Sequence, residues 1–312
     1  MTGLIAASTS AADKRIAFRG GLSSGKIQRL PGAINPLSAK LIQEIGFEGV
    51  YVSGGAFSAA LGLPDIGLTT LTEVVAHGGQ IAGITNLPVL IDADTGFGEP
   101  MSAARTVLAA EDAGIAGLHL EDQVNPKRCG HLDGKTIVPT DEMVRRLRAA
   151  VTARRDPNFV ICARTDAAGI GYDAASGKTS IDAAIERAKA YADAGADMIF
   201  TEALHTEADF VKFRAAVDIP LLANMTEFGK SRLIPAQTLE DIGYNAVIHP
   251  VTTLRLAMGA IERGLREIHA TGTQEGQLDQ MQTRSRLYEL LEYERYNEFD
   301  SGVFNFTLGG NQ

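Results

Sequence analysis

The sequence predicts an α/β fold, a (β/α)8 TIM-type barrel with extra helices at its C-terminal end, and two observations predict it. Short apolar, β-branched runs alternate with longer amphipathic stretches of helical spacing, the pattern of buried parallel strands joined by crossover helices. A weak internal repeat, Ile45-Gly46, Ala113-Gly114, Ala194-Gly195 and Ile242-Gly243, ends a helical stretch two or three residues before the next apolar run. Glycine there is the usual helix C-cap.

In order along the chain, the strand-like runs are 27–33, 49–53, 88–94, 117–122, 159–166, 196–202, 220–226 and 245–250. Amphipathic stretches at 102–113, 141–154, 180–194 and 206–217 lie between them. Eight strand-helix units point to a closed barrel. A doubly wound open sheet is the alternative, but no Gly-x-Gly-x-x-Gly follows the first strand to hold a dinucleotide. The 312 residues read as one domain, since α/β barrels run to roughly 250 residues. Stretches 252–270 and 277–294 look helical. This C-terminal region, about 252–296, is more helix than one barrel needs and suits packing on a neighbouring subunit, as in a homo-oligomer such as a tetramer.

Composition excludes several classes of function. The chain is 45% hydrophobic and 21% charged, with 29 Lys and Arg against 38 Asp and Glu, a net charge of -9. It has no basic block, so nucleic acid is not an expected partner. Apolar runs are strand-sized, far short of the roughly 20 residues that span a bilayer, so no membrane is expected either. Residues 1–20 lack the apolar segment of a secretory signal. Two cysteines in so long a chain point to a reducing, cytoplasmic compartment, with a mitochondrial address left open.

Chemistry collects at the C-terminal ends of the strands, where (β/α)8 enzymes carry their sites: Ser53, Asp92 and Asp94, Glu121 and Asp122, Arg164 and Asp166, Glu202, Asn224 and Thr226, then His249. Converging carboxylates call for a cation. In Asp92-Ala93-Asp94-Thr95-Gly96-Phe97-Gly98, acids two apart on a strand share a face and the glycines allow close approach. Hard oxygen ligands favour Mg²⁺ or Mn²⁺; a turn with a helix-capping Asp is the plainer reading.

Lys127-Arg128-Cys129-Gly130-His131 follows the fourth strand. Two cations and a histidine beside a cysteine stabilise the thiolate, making the sulfur able to exchange a proton near neutral pH; an incidental cysteine in a basic loop is the alternative. Cys162, among Val160, Ile161 and Ala163, reads as core. Ser53-Gly54-Gly55 offers N–H groups and a hydroxyl to an anion, or simply makes a turn. Arg164, ending a buried strand, must face an acid or a substrate carboxylate. His77, His119, His205 and His249 lack ligand spacing and read as packing or capping residues. No Gly-x-Ser-x-Gly elbow or Ser-His-Asp order supports a serine hydrolase.

The Cys129 pentapeptide, the Asp92 heptapeptide and Tyr51-Val52-Ser53-Gly54-Gly55 together resemble the isocitrate lyase and phosphoenolpyruvate mutase superfamily. Gly62-Leu63-Pro64-Asp65, Asn224-Met225-Thr226-Glu227-Phe228-Gly229 and Met281-Gln282-Thr283-Arg284 extend the likeness from about Ala17 to about Tyr296. The cysteine loop is similar to that of the lyase branch. The chain lacks the large insertions of isocitrate lyases, has Phe200 where they carry Trp, and has Asn224-Met225-Thr226 for their Asn-Cys-Ser, which implies room for a methyl group on the substrate. Thr201 departs from a Pro usual in close relatives and His249 from a common Tyr.

The resemblance implies a Mg²⁺-dependent lyase that cleaves a tricarboxylate of the methylisocitrate type to pyruvate and succinate. It implies Asp92 and Asp94 as metal ligands with Glu121 behind them. Ser53, Gly54, Gly55 and Arg164 would receive the pyruvate half; Asn224, Met225, Thr226, Arg255, Arg284, Gly130 and Glu202 would frame the succinate half. Cys129 would be the proton donor, tuned by Lys127 and His131. The base would be Tyr51, with Asp65 or Glu121 behind it. The competing expectations are an isocitrate or branched-malate lyase and, in another class, a barrel that binds a dicarboxylate without turnover.

Overall fold

The structure is a computed structural model and describes residues 7–128, 130, 134–170 and 180–304. Helix α1 (Ala11–Leu22) precedes strand β1 (Gln28–Pro31), α2 (Pro36–Ile45), β2 (Val50–Val52), α3 (Gly54–Ala60), α4 (Leu71–Ile84) and β3 (Val89–Asp92). Then come α5 (Pro100–Asp112), β4 (Gly117–Glu121), α6 (Thr140–Ala153), β5 (Val160–Thr165), α7 (Ser180–Asp193) and β6 (Met198–Thr201). The chain continues through α8 (Glu207–Ala216), β7 (Leu221–Asn224), α9 (Ala236–Ile242), β8 (Ala246–His249), α10 (Thr252–Thr271), α11 (Arg284–Leu290) and α12 (Tyr293–Phe304). The eight strands are all parallel, in the order β1-β8-β7-β6-β5-β4-β3-β2. A parallel bridge from Gly32 to Tyr51 brings the two ends together, so the barrel expectation holds.

Alternation along the strands separates two layers of core. On β3, Val89 and Ile91 face the helices while Leu90 joins Leu30, Tyr51, Val160, Cys162, Met198, Phe200, Leu222 and Ile248 in the interior. Period-two alternation on a pleated strand requires this division. Phe18 and Leu22 of α1 belong to the interior cluster, and Asn245 Nδ2 donates to the Leu22 carbonyl at 2.9 Å. Helix α1 therefore plugs the N-terminal end of the barrel, a role its sequence did not disclose. Helix starts are set locally: Asn35, Thr70 and Thr206 each cap a helix reciprocally with the residue three positions on. Gly46 and Gly243 take the left-handed C-cap conformation foreseen for them.

Two expectations change. The stretch 277–294 is not one helix: a 3-10 turn (Glu275–Gln280), α11 and the start of α12 replace it. Extended Met281, the Thr283 N-cap and Glu292 at φ 56 break the run. Asp94 is not on its strand. Strand β3 ends at Asp92, and Asp94 sits at φ 46 in the turn beyond. No described helix is long and apolar enough to cross a membrane.

The C-terminal arm touches the barrel through polar pairs such as Arg286 with Glu44 and Lys40 with Glu292. Helix α10 is amphipathic, yet none of its residues is buried, and Leu256, Met258, Ile261, Leu265 and Ile268 are exposed.

Candidate active site

Strand register assembles the site. Asp92 pairs with His119 across β3 and β4, Glu121 with Arg164 across β4 and β5, and Arg164 with Phe200 across β5 and β6. All of these side chains lie at the C-terminal end of the barrel, as the strand-end rule requires.

Asp92 and Asp94 are brought together by a turn rather than by strand alternation. The Asp94 N–H donates to Asp92 Oδ1 at 3.0 Å, and the Gly54 N–H donates to Asp92 Oδ2 at 3.2 Å. A Cβ on Gly54 would lie 2.8 Å from Asp92 Oδ2 and 3.5 Å from Asp94 Oδ1, so both carboxylates face one spot that glycine leaves open. Among the described residues no set of three His, Cys, Asp or Glu forms a ligand cluster. Two carboxylates with water completing the shell fit Mg²⁺, which gives up its waters reluctantly.

The charges divide these acids. Burial pushes the Asp92 carboxyl up, but His119, Lys127 and Arg164 outweigh it and hold it at about 2. Burial pushes His119 down to about 4, so at neutral pH Lys127 and Arg164 carry that effect. Burial and the neighbouring Asp92 charge raise Asp94 to about 6, against the pull of Lys127. Lys127 Nζ lies 2.7 Å from Asp94 Oδ1 and also donates to Asp65. Burial opposes its charge, and Glu121, Asp92, Asp94 and Asp65 more than restore it. Its ammonium therefore bridges the acids at this rim.

His119 packs in the barrel interior and also reaches polar partners. Expected as a packing residue, it is wholly buried with Nε2 2.8 Å from the Tyr51 hydroxyl and 3.7 Å from Asp92 Oδ1. Its Nδ1 has no partner among the described residues, and Phe200 meets it edge-on at 5.3 Å. The signal was available: His119 stands two residues before Glu121 on one strand, hence on the same face. Burial pushes the Tyr51 phenol well above its ordinary range. His77 stacks on Phe57 and His205 is exposed, in keeping with structural roles.

Arg164 faces three acids at once. Its Nε donates to Asp166 Oδ2 at 2.9 Å, Nη1 lies 3.2 Å from Glu121 Oε2 and Nη2 lies 3.4 Å from Glu202 Oε2. The guanidinium also stacks over Phe200 at 5.1 Å. Glu121 is fully buried, with neither oxygen accepting a hydrogen bond from a described residue, and burial pushes its carboxyl well up. Asn224 Nδ2 donates to both Glu202 oxygens at 3.2 and 3.3 Å. Met225 and Thr226 are buried beside it. The Ser53 hydroxyl oxygen caps α3 through the Ala56 N–H at 3.2 Å, and Gly55 lies against Asp65. A cavity of about 640 Å³ lined by Asp94, Thr95, Phe97, Arg105, Asn125 and Pro126 leads to this rim.

Four expected residues stand apart from that set. Cys129 and His131 lie outside the described residues, whereas Gly130 is described and packs against Arg164 and Glu202. Arg255 is bound to Glu227, with Nη1 3.0 Å from Oε2, and covers the Phe228 ring at 5.2 Å. Arg284 is exposed at the start of α11 and pairs with nothing among the described residues; the C-terminal arm does not bring it to the rim of its own barrel.

Comparison with known proteins agrees with this geometry. The chain is 66% identical over 307 residues to a Corynebacterium glutamicum protein named "Probable 2-methylisocitrate lyase 2", covering 98% of this chain and 97% of that one. Among solved structures it resembles 2,3-dimethylmalate lyase with a TM-score of 0.84 at 31% identity, covering 97% of this chain and 99% of the other. It also resembles phosphonopyruvate hydrolase, solved with oxalate and Mg²⁺, with a TM-score of 0.81 at 27% identity over 92% and 98% of the two chains. The family model for phosphoenolpyruvate phosphomutase matches residues 18–269, the whole barrel and the helix after it, and this chain belongs to that family.

Proposed function

We propose that this chain is a carbon–carbon lyase that cleaves 2-methylisocitrate to pyruvate and succinate, serving propionate degradation through the methylcitrate cycle in the cytoplasm. The observation that carries the reading is the convergence of Asp92 and Asp94 on the open spot beside Gly54, at the rim where Arg164 is buried. The name of the 66% identical relative supports the substrate.

Asp92 and Asp94 would hold Mg²⁺, or Mn²⁺, with Glu121 behind them. When bound, the cation supplies Lewis-acid polarisation and orients the substrate hydroxyl and adjoining carboxylate. The Ser53 hydroxyl, the Gly54-Gly55 segment and Arg164 receive the pyruvate half. Asn224, Met225, Thr226, Gly130 and Glu202 frame the succinate half, and Arg255 and Arg284 contribute to it in the assembled oligomer. Tyr51 takes the hydroxyl proton while passing its own to His119 Nε2, because burial disfavours a standing phenolate. Asp65 is a poorer base, being tied to Lys127. The C2–C3 bond then breaks, the hydroxyl carbon becomes the ketone of pyruvate, and the succinate carbanion takes a proton from Cys129, whose sulfur Lys127 and His131 would tune.

Phe200 lies under Arg164 and against His119, and this aromatic, smaller than Trp, leaves space for the substrate methyl. One methyl is worth about 1 to 3 kcal/mol of discrimination, so isocitrate is expected to be a slow substrate. The working form is a homo-oligomer, taken as a tetramer. Helix α10 follows β8 yet buries nothing of its own, and a second copy is the partner whose barrel has the same wall to cover.

The test is pyruvate release from 2-methylisocitrate and from isocitrate in parallel, each with and without EDTA, with glyoxylate assayed in the second arm. Metal-dependent pyruvate in excess of glyoxylate is expected. Dominant glyoxylate would make the chain an isocitrate lyase, and no cleavage of either acid would leave the branched-malate and non-catalytic readings.

A further inference from the structure

Lys135 is a buried ammonium that the proposed reaction does not use. Its side chain is 1% exposed. Its Nζ donates to the Gly130 carbonyl and lies 2.7 Å from Asp166 Oδ1. Gly169 leaves the space for it, since a Cβ there would sit 2.8 Å from Nζ. Asp166 is the same acid that accepts from Arg164 Nε at 2.9 Å and from Nη2 at 3.2 Å. Its own N–H donates to Asp122 Oδ1 at 2.9 Å. Asp122 in turn accepts from Thr165 Oγ1 at 2.8 Å, from the Tyr191 hydroxyl at 2.7 Å and from Arg187 Nη1 at 3.1 Å.

We infer that Lys135 is a positioning residue: it fixes the backbone of the cysteine loop at Gly130 to Asp166, and so sets that loop in register with Arg164. Three physical points carry this. Burying an ammonium is costly, and a well-packed apolar side chain would serve stability as well or better, so the charge must have a geometric use. One ammonium bonds two groups that otherwise belong to different parts of the barrel, a loop carbonyl and a strand-end carboxylate. The carboxylate it holds also orients the guanidinium that faces the substrate. A proton donor must lie within hydrogen-bond reach of the atom it serves, and small misplacement is costly. A shared anchor for donor loop and carboxylate receptor is a direct way to meet that demand.

The inference rests on the lyase reading, and its alkylation arm can be measured without it. Lys135→Met keeps length without charge or donors; Lys135→Arg keeps both. In the full chain with Mg²⁺ and 2-methylisocitrate, Lys135→Met is expected to lower kcat at least a hundredfold with KM within about threefold, and Lys135→Arg to recover at least tenfold of the loss. The second readout needs no substrate: alkylation of Cys129 by iodoacetamide, located by peptide mass, with Cys162 buried in β5 and silent. Lys135→Met is expected to speed alkylation at least threefold and Lys135→Arg to return it toward wild type. A Lys135→Met enzyme with wild-type kcat and wild-type alkylation overturns the inference. So does a loss of kcat in which Lys135→Arg is no better than Lys135→Met and both melt early, since that is a purely structural role. If wild-type protein cleaves neither acid, the lyase reading fails while the alkylation comparison still decides the role of Lys135.

Discussion

Replacing Gly130 with alanine puts one methyl group at the most crowded point of the proposed site. A Cβ there would lie 2.5 Å from Glu202 Cγ and 2.6 Å from Glu202 Oε2, and would also strike the Arg164 guanidinium. Carbon atoms rest about 3.5 to 4.0 Å apart, so something must move by about 1 Å. Glu202 is held by two hydrogen bonds from Asn224 and lies against Arg164, which Asp166 fixes through two more. The loop is the side that yields. Displacement of about 1 Å costs about a hundredfold in rate, or about 2.7 kcal/mol of transition-state stabilisation. Because Gly130 belongs to no helix or strand, the thermal midpoint is expected to stay close to wild type. Steady-state cleavage of 2-methylisocitrate at saturating Mg²⁺, together with a melting curve, measures both. A Gly130→Ala protein with unchanged kcat would show that residue 130 does not approach Arg164 and Glu202 during turnover, and the placement of the donor loop argued above would fall with it.

Cys129→Ser is expected to keep pyruvate binding and lose nearly all cleavage; substantial turnover in that variant would remove the sulfur from the mechanism. His119→Gln takes away the acceptor for the Tyr51 proton, and a general-base partner is worth about 10² to 10⁴ in rate, so kcat within threefold of wild type would exclude the relay. Tyr191→Phe deletes the 2.7 Å hydrogen bond to Asp122 and should lower the unfolding free energy by about 1.5 to 3 kcal/mol, the range for bonds to charged groups, read as a lower denaturant midpoint. A wild-type midpoint would mean that Thr165, Arg187 and the Asp166 N–H suffice for that carboxylate. Leu265→Asp charges the exposed stripe of α10, and light scattering is expected to report a smaller assembly than wild type. An unchanged mass would mean that α10 lies outside the contact.

The barrel was legible in the sequence because its strands are buried on both sides and announce themselves as unbroken apolar runs, separated by helical stretches with glycine at their ends. The strand ends were equally legible, so Asp92, Glu121, Arg164, Glu202 and Asn224 were expected at one rim and are found there. Helix α1 was missed because its hydrophobic face is small, Phe18 and Leu22 with the stems of Lys14 and Arg15, and no local pattern says that it plugs a barrel. The polar partners of His119 were not legible, because they depend on Tyr51, 68 residues away, and on a strand register that places it beside Asp92.

The sequence by itself determined the fold class, the strand-end carboxylates, the core identity of Cys162 and the family. These depend on residue type and short-range periodicity, which the chain carries locally. Tertiary structure decided which charges meet. Lys127 is given to Asp65 and Asp94, Lys135 ties Gly130 to Asp166, and α10 keeps every one of its residues unburied. Such pairings depend on loops arriving at a common rim from distant positions, and a long flexible cation can reach several acids. Only the closed barrel fixes the distances that choose among them.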